Sequence, residues 1–344
     1  MTGPATHPTH PTRPTRLRTR ARRLAATGLA VAALAVPAGC GLGTAGGYVP
    51  DATLAGPLEG VSLEGTEIAV GSKNFSENIL LGKIVLILMK AAGAEVTDLT
   101  NIPGSNSARQ AQVQGEIDAM WEYTGTAWIS YLGEDEPIEG TEEQYEAVAE
   151  RDLAENDLRW LPPTPANNTY GFAMTAQSAE RLGITKLSQI QDIPVDERTF
   201  CVESEFENRP DGLPGMLKTY DIPRGEAQGT PDDNIGLYQT GAIYEATAQG
   251  ECTFGEVFTT DGRILALDLT VLEDDRQYFP NYNISLVVGE QLVEDHPEIE
   301  ELVDPVAAEL TNEVLLGLNA EIDVEGREAS DVAEDWLRQE GFIA

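Results

Sequence analysis

From residue 66 onward, apolar positions come in two rhythms that follow each other in turn. Residues 66–71 (TEIAVG) form a short apolar run between glycines, which predicts a buried strand. After a loop over 72–75, Ser76 and Glu77 mark a helix start. Ile79, Leu80, Ile84, Val85, Leu88 and Met89 then recur at helical spacing until Gly93. A strand over 96–102, a helix over 107–114 and a strand over 117–122 continue the alternation. A polar helix over 142–156 precedes the stiff segment Trp160-Leu161-Pro162-Pro163 near a lobe boundary. Strands are predicted at 170–175, 198–203, 253–258, 267–272 and 284–288. Helices are predicted at 237–249, 297–310, 311–319 and 329–339, with one more entered from the Pro/Gly-rich turn at 210–215. Strands alternating with helices imply mostly parallel sheets covered on both faces. An α/β lobe, a second α/β lobe and a return to the first describe a two-lobed clamshell. Its lobes are 64–166 plus 273–344, and 167–272. Ligands in such folds sit in the inter-lobe cleft, outside the carboxyl ends of the strands.

The N-terminus follows another pattern. Six arginines between Arg13 and Arg23 precede an apolar run from Leu24 to Val36, with no acidic residue before Asp51. That run is shorter than the roughly 20 residues a membrane-spanning helix needs, so residues 1–40 are read as a signal peptide. Val36-Pro37-Ala38-Gly39-Cys40 resembles a bacterial lipobox, with Pro37 where that motif usually carries Leu, and implies lipidation of Cys40. Ordinary secretion with cleavage nearby is the alternative, and Arg22-Arg23 leaves the export route open. Residues 41–63, rich in Gly, Ala and Pro, are expected to form a flexible tether.

Charge and composition then exclude several classes. Beyond the leader the chain carries 16 lysines and arginines against 58 acids. Such a balance argues against nucleic acid or an anionic membrane surface as partner. His7 and His10 lie in the leader, which leaves His296 alone and makes a Ser-His-Asp, Cys-His or histidine-rich metal site untenable. No Walker loop or GxGxxG occurs. The chemistry therefore points away from an enzyme, and no cofactor or metal is expected. Cys201 and Cys252 are too far apart in sequence for a metal knuckle. In an oxidising compartment they form a disulfide, with two buried free thiols as the alternative.

Aromatic residues gather at strand ends that face the expected cleft: Tyr123, Tyr170, Phe258 and Tyr282. One such ring is usually packing; four around one cleft suggest a box of π faces. Tyr244, within a helix, is assigned to packing, and Asp261 with Arg263 to bracing the loop that presents Phe258.

Five motifs carry a family resemblance. They are Gly71-Ser72-Lys73-Asn74-Phe75-Ser76-Glu77, Glu122-Tyr123-Thr124-Gly125-Thr126, Arg209-Pro210-Asp211-Gly212-Leu213-Pro214, Thr260-Asp261-Gly262-Arg263 and Leu272-Glu273-Asp274-Asp275. In this order they resemble the glycine betaine/carnitine/choline-binding proteins of osmoprotectant ABC transporters, from about Glu67 to Phe342. The resemblance implies a type II periplasmic-binding-protein-like clamshell with an aromatic cage at Tyr123, Tyr170, Phe258 and Tyr282. A trimethylammonium group donates no hydrogen bond, so ring faces hold it by cation–π attraction, about 1–2 kcal/mol per desolvated ring. Phe258 stands where the family often has Tyr, which keeps the π face and loses the hydroxyl. The resemblance also implies carboxylate contacts at Lys73, Thr126 and Arg209, and a contact to the cation at Asn168. A structural salt bridge is the competing reading for Lys73 and for Arg209.

The implied function is the extracytoplasmic binding component of an ABC importer for a quaternary ammonium compatible solute. It acts as a lipid-anchored monomer that closes on its ligand and is read by permease subunits in the membrane. A clamshell for an amino acid or another amine is the alternative, and an extracellular carboxylate-dependent hydrolase the remote one.

Overall fold

The computed structural model describes residues 48–134, 138, 140–226 and 228–344. The signal peptide and Cys40 lie outside the described residues. Among the described residues, ten strands form two five-stranded sheets. The first has the order β2 (Glu95–Ile102), β1 (Glu67–Lys73), β3 (Ala119–Tyr123), β10 (Ile284–Gly289) and β4 (Leu158–Trp160). The second runs β7 (Ile235–Leu237), β6 (Phe200–Val202), β8 (Phe254–Phe258), β5 (Tyr170–Thr175) and β9 (Leu269–Val271). β1, β2 and β3 are parallel, as are β6, β7 and β8, whereas β10 and β5 run against their neighbours. Each sheet has its own apolar core, so the chain folds as two α/β lobes.

Helix α1 (Ser76–Ala91) shows why the first lobe is well defined. Leu80, Leu81 and the run from Ile84 to Met89 are all buried, an apolar surface on every side that requires cover all round. The sheet covers one side and the helix Ala329–Gln339 the other, through Val332, Trp336 and Leu337.

Three local expectations change. Residues 48–63 are not a free tether: Leu54, Leu58 and Leu63 are buried in the first core. The segment is also bonded to the C-terminus, Ala55 N donating to Phe342 O at 2.8 Å and Ala344 N to Thr53 O at 2.9 Å. Small residues and prolines hid the leucines spaced among them. The stiff segment at Trp160 ends an edge strand, with Trp160 opposite Val287 and Trp160 Nε1 donating to Asp152 at 2.8 Å. The helix expected at 237–249 spans Thr240–Ala248, and exposed Leu237 belongs to edge strand β7 instead. Cys201 at β6 and Cys252 before β8 are joined as a disulfide in the second lobe.

The chain passes between the lobes twice, and the two passages lie side by side. Asn167 pairs with Asn283, Tyr282 N donates to Asn167 Oδ1 at 2.7 Å, and Asn283 Nδ2 donates to Ala166 O at 3.1 Å.

Candidate functional site

Strand direction gathers the site. Parallel strands β1 and β3 end at Lys73 and Tyr123, and antiparallel β10 starts beside them, with Ile284 opposite Tyr123 and Tyr282 two residues earlier. In the other sheet β8 ends at Phe258 directly opposite Tyr170, the first residue of antiparallel β5. These edges meet around a small cavity. All eight residues expected from the sequence line it: Lys73, Tyr123, Thr126, Asn168, Tyr170, Arg209, Phe258 and Tyr282. Phe75 and Ser105 complete the lining, and none of the ten is acidic.

Five rings run in sequence around this space. Phe75 lies 5.9 Å from Tyr123 and 5.2 Å from Phe258, Tyr170 is 5.3 Å from Phe258, and Tyr282 meets Tyr170 edge-on at 5.4 Å. Gly125 makes room for this arrangement, because a Cβ there would lie 2.8 Å from the Tyr282 ring. Phe258 is held from behind: its amide donates to Tyr244 Oη at 2.9 Å, and the Arg263 guanidinium stacks 4.4 Å from the Tyr244 ring. Arg263 is in turn paired with Asp261, its Nε donating at 2.9 Å.

The polar side is densely paired. Lys73 Nζ donates to buried Glu122 Oε2 at 2.7 Å and sits 4.8 Å over the Tyr123 ring. Glu122 also accepts from Tyr131 Oη at 2.9 Å. Arg209 forks onto Asp211, with Nε to Oδ1 at 2.8 Å and Nη2 to Oδ2 at 2.6 Å, reaches Thr126 Oγ1 at 3.3 Å, and lies 5.4 Å from the Tyr170 ring. Both cations line the cavity, and both are engaged in salt bridges with the protein's own carboxylates.

Glu77, which the sequence marked only as a helix start, lies behind the rings. Its Oε1 accepts from Tyr123 Oη at 2.9 Å and Asn168 Nδ2 at 2.8 Å, its Oε2 from Thr260 Oγ1 at 2.5 Å and Asn319 Nδ2 at 3.1 Å. Burial raises its pKa against those four donors. With Asn168 Nδ2 committed to Glu77, Asn168 Oδ1 is buried without a hydrogen-bond partner, on a residue that lines the cavity.

Residues 66–339 match the family described as the substrate-binding domain of ABC-type glycine betaine transport systems. The chain belongs to this family. It is the substrate-binding component of a transport system, a solute-binding protein of two lobes. It is 36% identical to the glycine-betaine-binding protein of Pseudomonas aeruginosa, over 80% of this chain and 88% of that protein. To the glycine betaine-binding protein YehZ of Escherichia coli it is 32% identical, over 87% and 97%. The solved apo YehZ superposes with a TM-score of 0.61 at 30% identity, covering 80% of this chain and 99% of that one.

Phe75 and Ser105 escaped the sequence reading for different reasons. Phe75 stands within the first motif, and its place after a strand was the available signal. Ser105 was missed because the helix was expected from residue 107. Helix α2 (Ser105–Val113) starts two residues earlier, which brings the amide of Ser105 to the site.

Proposed function

We propose that this protein captures a quaternary ammonium solute (glycine betaine, choline, carnitine or proline betaine) in the ring-lined cavity between its lobes, for uptake as an osmoprotectant. The observation that carries the reading is the convergence of five rings on a cavity whose lining includes no carboxylate. A trimethylammonium group is large, apolar at its surface and cationic, and ring faces satisfy all three properties. A primary amine needs hydrogen-bond acceptors instead. The buried carboxylates against the rings are already engaged, Glu77 accepting four hydrogen bonds and Asp211 held by Arg209 and Tyr282, which disfavours an amino acid or simple amine. Asn168 Oδ1 supplies a partial negative charge toward the cation without demanding a proton from it.

Capture proceeds by hinge closure between the two lobes, with the paired passages at Asn167 and Asn283 as the hinge; residues 273–279, expected in the first lobe, pack on the second. The first lobe brings Lys73, Tyr123, Thr126 and Tyr282; the second brings Tyr170, Arg209 and Phe258. The closed monomer is read by permease subunits, and no chemistry is done on the ligand. A lipid on Cys40 holds the protein at the extracytoplasmic face of the membrane. Calorimetric titration with glycine betaine, choline, carnitine and proline tests the reading. A quaternary ammonium ligand should bind and be lost in Tyr123→Ala, whereas folded protein that takes up none of them would rule the cage out.

A further inference from the structure

We infer that Glu205 acts as a resident anion in the carboxylate-binding part of the site. It thereby turns the preference toward quaternary ammonium ligands without a carboxylate, the choline class, over betaines. The inference rests on the quaternary ammonium reading above and specifies its ligand.

The groups that would receive a ligand carboxylate are occupied by the protein's own carboxylates. Lys73 is neutralised by Glu122, both nearly inaccessible. Arg209 holds Asp211 in a fork at its Nε and Nη2, the geometry by which a guanidinium would otherwise hold a ligand carboxylate. Its Nη2 also reaches Thr126, and its Nη1 donates to Glu205 Oε1 at 3.1 Å. Of the guanidinium's N–H donors one remains, too few for a second fork. The remaining anion-binding feature is the start of helix α2, whose first amide points into the cleft. Ser105 N donates to Glu205 Oε2 at 3.1 Å.

Glu205 comes from the helix Ser204–Asn208 in the second lobe and reaches across the cleft to Ser105 in the first. Its position is thus that of a ligand carboxylate, bonded to both lobes at once. Burial pushes its carboxyl up, but the Ser105 donors and the charges of Arg209 and Lys73 outweigh it and hold the pKa below the usual range. A second carboxylate entering here displaces Glu205 from Ser105 or lies beside it with like charge. Specificity of this kind comes from repulsion of the wrong ligand rather than from an added contact to the right one.

The charge count agrees. Lys73 and Arg209 face Glu122, Asp211 and Glu205, two cations against three carboxylates. A cationic ligand balances that excess, whereas a zwitterion leaves it unchanged and adds a carboxylate to it. The wider space adjoining the cavity carries the same sign: it shares Lys73, Phe75, Ser105, Tyr170 and Phe258 and adds Glu203 and Glu205.

Isothermal titration of the purified chain with choline and with glycine betaine tests this, repeated on Glu205→Gln and Glu205→Ala with thermal melts to report folding. The parent protein should bind choline about tenfold or more tighter than glycine betaine. In either folded variant the ratio should shift toward glycine betaine by about tenfold. Glycine betaine bound as tightly as choline by the parent, or a ratio unchanged in both variants, overturns the inference alone. Binding of neither ligand by the parent overturns it together with the reading on which it rests.

Discussion

The phenol of Tyr282 donates to Asp211 Oδ2 at 2.7 Å, joining a ring of one lobe to the carboxylate that holds Arg209 in the other. The same carboxylate thus fixes the Tyr282 ring and the guanidinium beside it. Tyr282→Phe keeps the ring and removes the bond. It should cost about 1.5–3 kcal/mol of stability by urea denaturation, the range for a hydrogen bond to a charged group. An unchanged midpoint would show that the bond contributes nothing in water.

Closure depends on a close approach between backbones. A Cβ on Gly262 would lie 2.5 Å from the Cα of Ala320, on the helix Asn312–Asp323 of the other lobe. Gly262 has an ordinary φ of −62°, so alanine there strains no backbone and acts by contact between the lobes alone. Gly262→Ala should weaken ligand binding about tenfold or more while thermal stability without ligand stays close to the parent. Unchanged affinity would mean that the contact plays no part in the ligand-bound state.

Glu256 is buried beside Glu203, Glu205 and Arg209, and its Oε2 accepts from Glu203 N at 2.8 Å. Burial raises its pKa well above the ordinary carboxylate value, so the folded protein holds this proton more tightly than the unfolded chain does. That stabilisation is complete below the ordinary value and is lost as pH rises through the raised one. Glu256→Gln mimics the protonated form. Its Tm should match the parent's near pH 4 and exceed it increasingly toward pH 8; a difference independent of pH would contradict the assignment.

The segment before β1 offers a test of packing. Leu58 is fully buried in the first core, and Leu58→Ala should cost about 2–5 kcal/mol in denaturant unfolding. A free tether would lose nothing.

The sequence made most of this fold legible, for identifiable reasons. Strand β1 and helix α1 carry apolar runs long enough to show their period, and helix α1 starts at Ser76 as expected. Boundaries were less visible, since Ser105 and Ser107 are equally good helix starts by residue type, and only packing selects the first. The four rings could be located because they stand at strand ends of the two sheets, whereas Asn168 was carried by the family resemblance. What the residues around them do to one another was not legible. Glu77, Glu122, Glu205 and Asp211 are four acids among 58, and apart from Arg209, near Glu205 and Asp211, their side-chain partners come from distant segments. Arg209 pairs with Asp211 inside one motif, two residues apart, whereas the hydrogen bond from the Ser105 amide to Glu205 follows from how the two lobes meet.

The central claim is recognition of a quaternary cation by ring faces, and competition between choline and its neutral carbon isostere, 3,3-dimethylbutan-1-ol, isolates it. The two have the same shape and differ in charge. The account has choline binding on the order of tenfold to a hundredfold tighter, the effect of a few cation–π contacts in a desolvated site. Equal affinities would mean that the cavity selects shape and apolar surface alone, and would contradict the account.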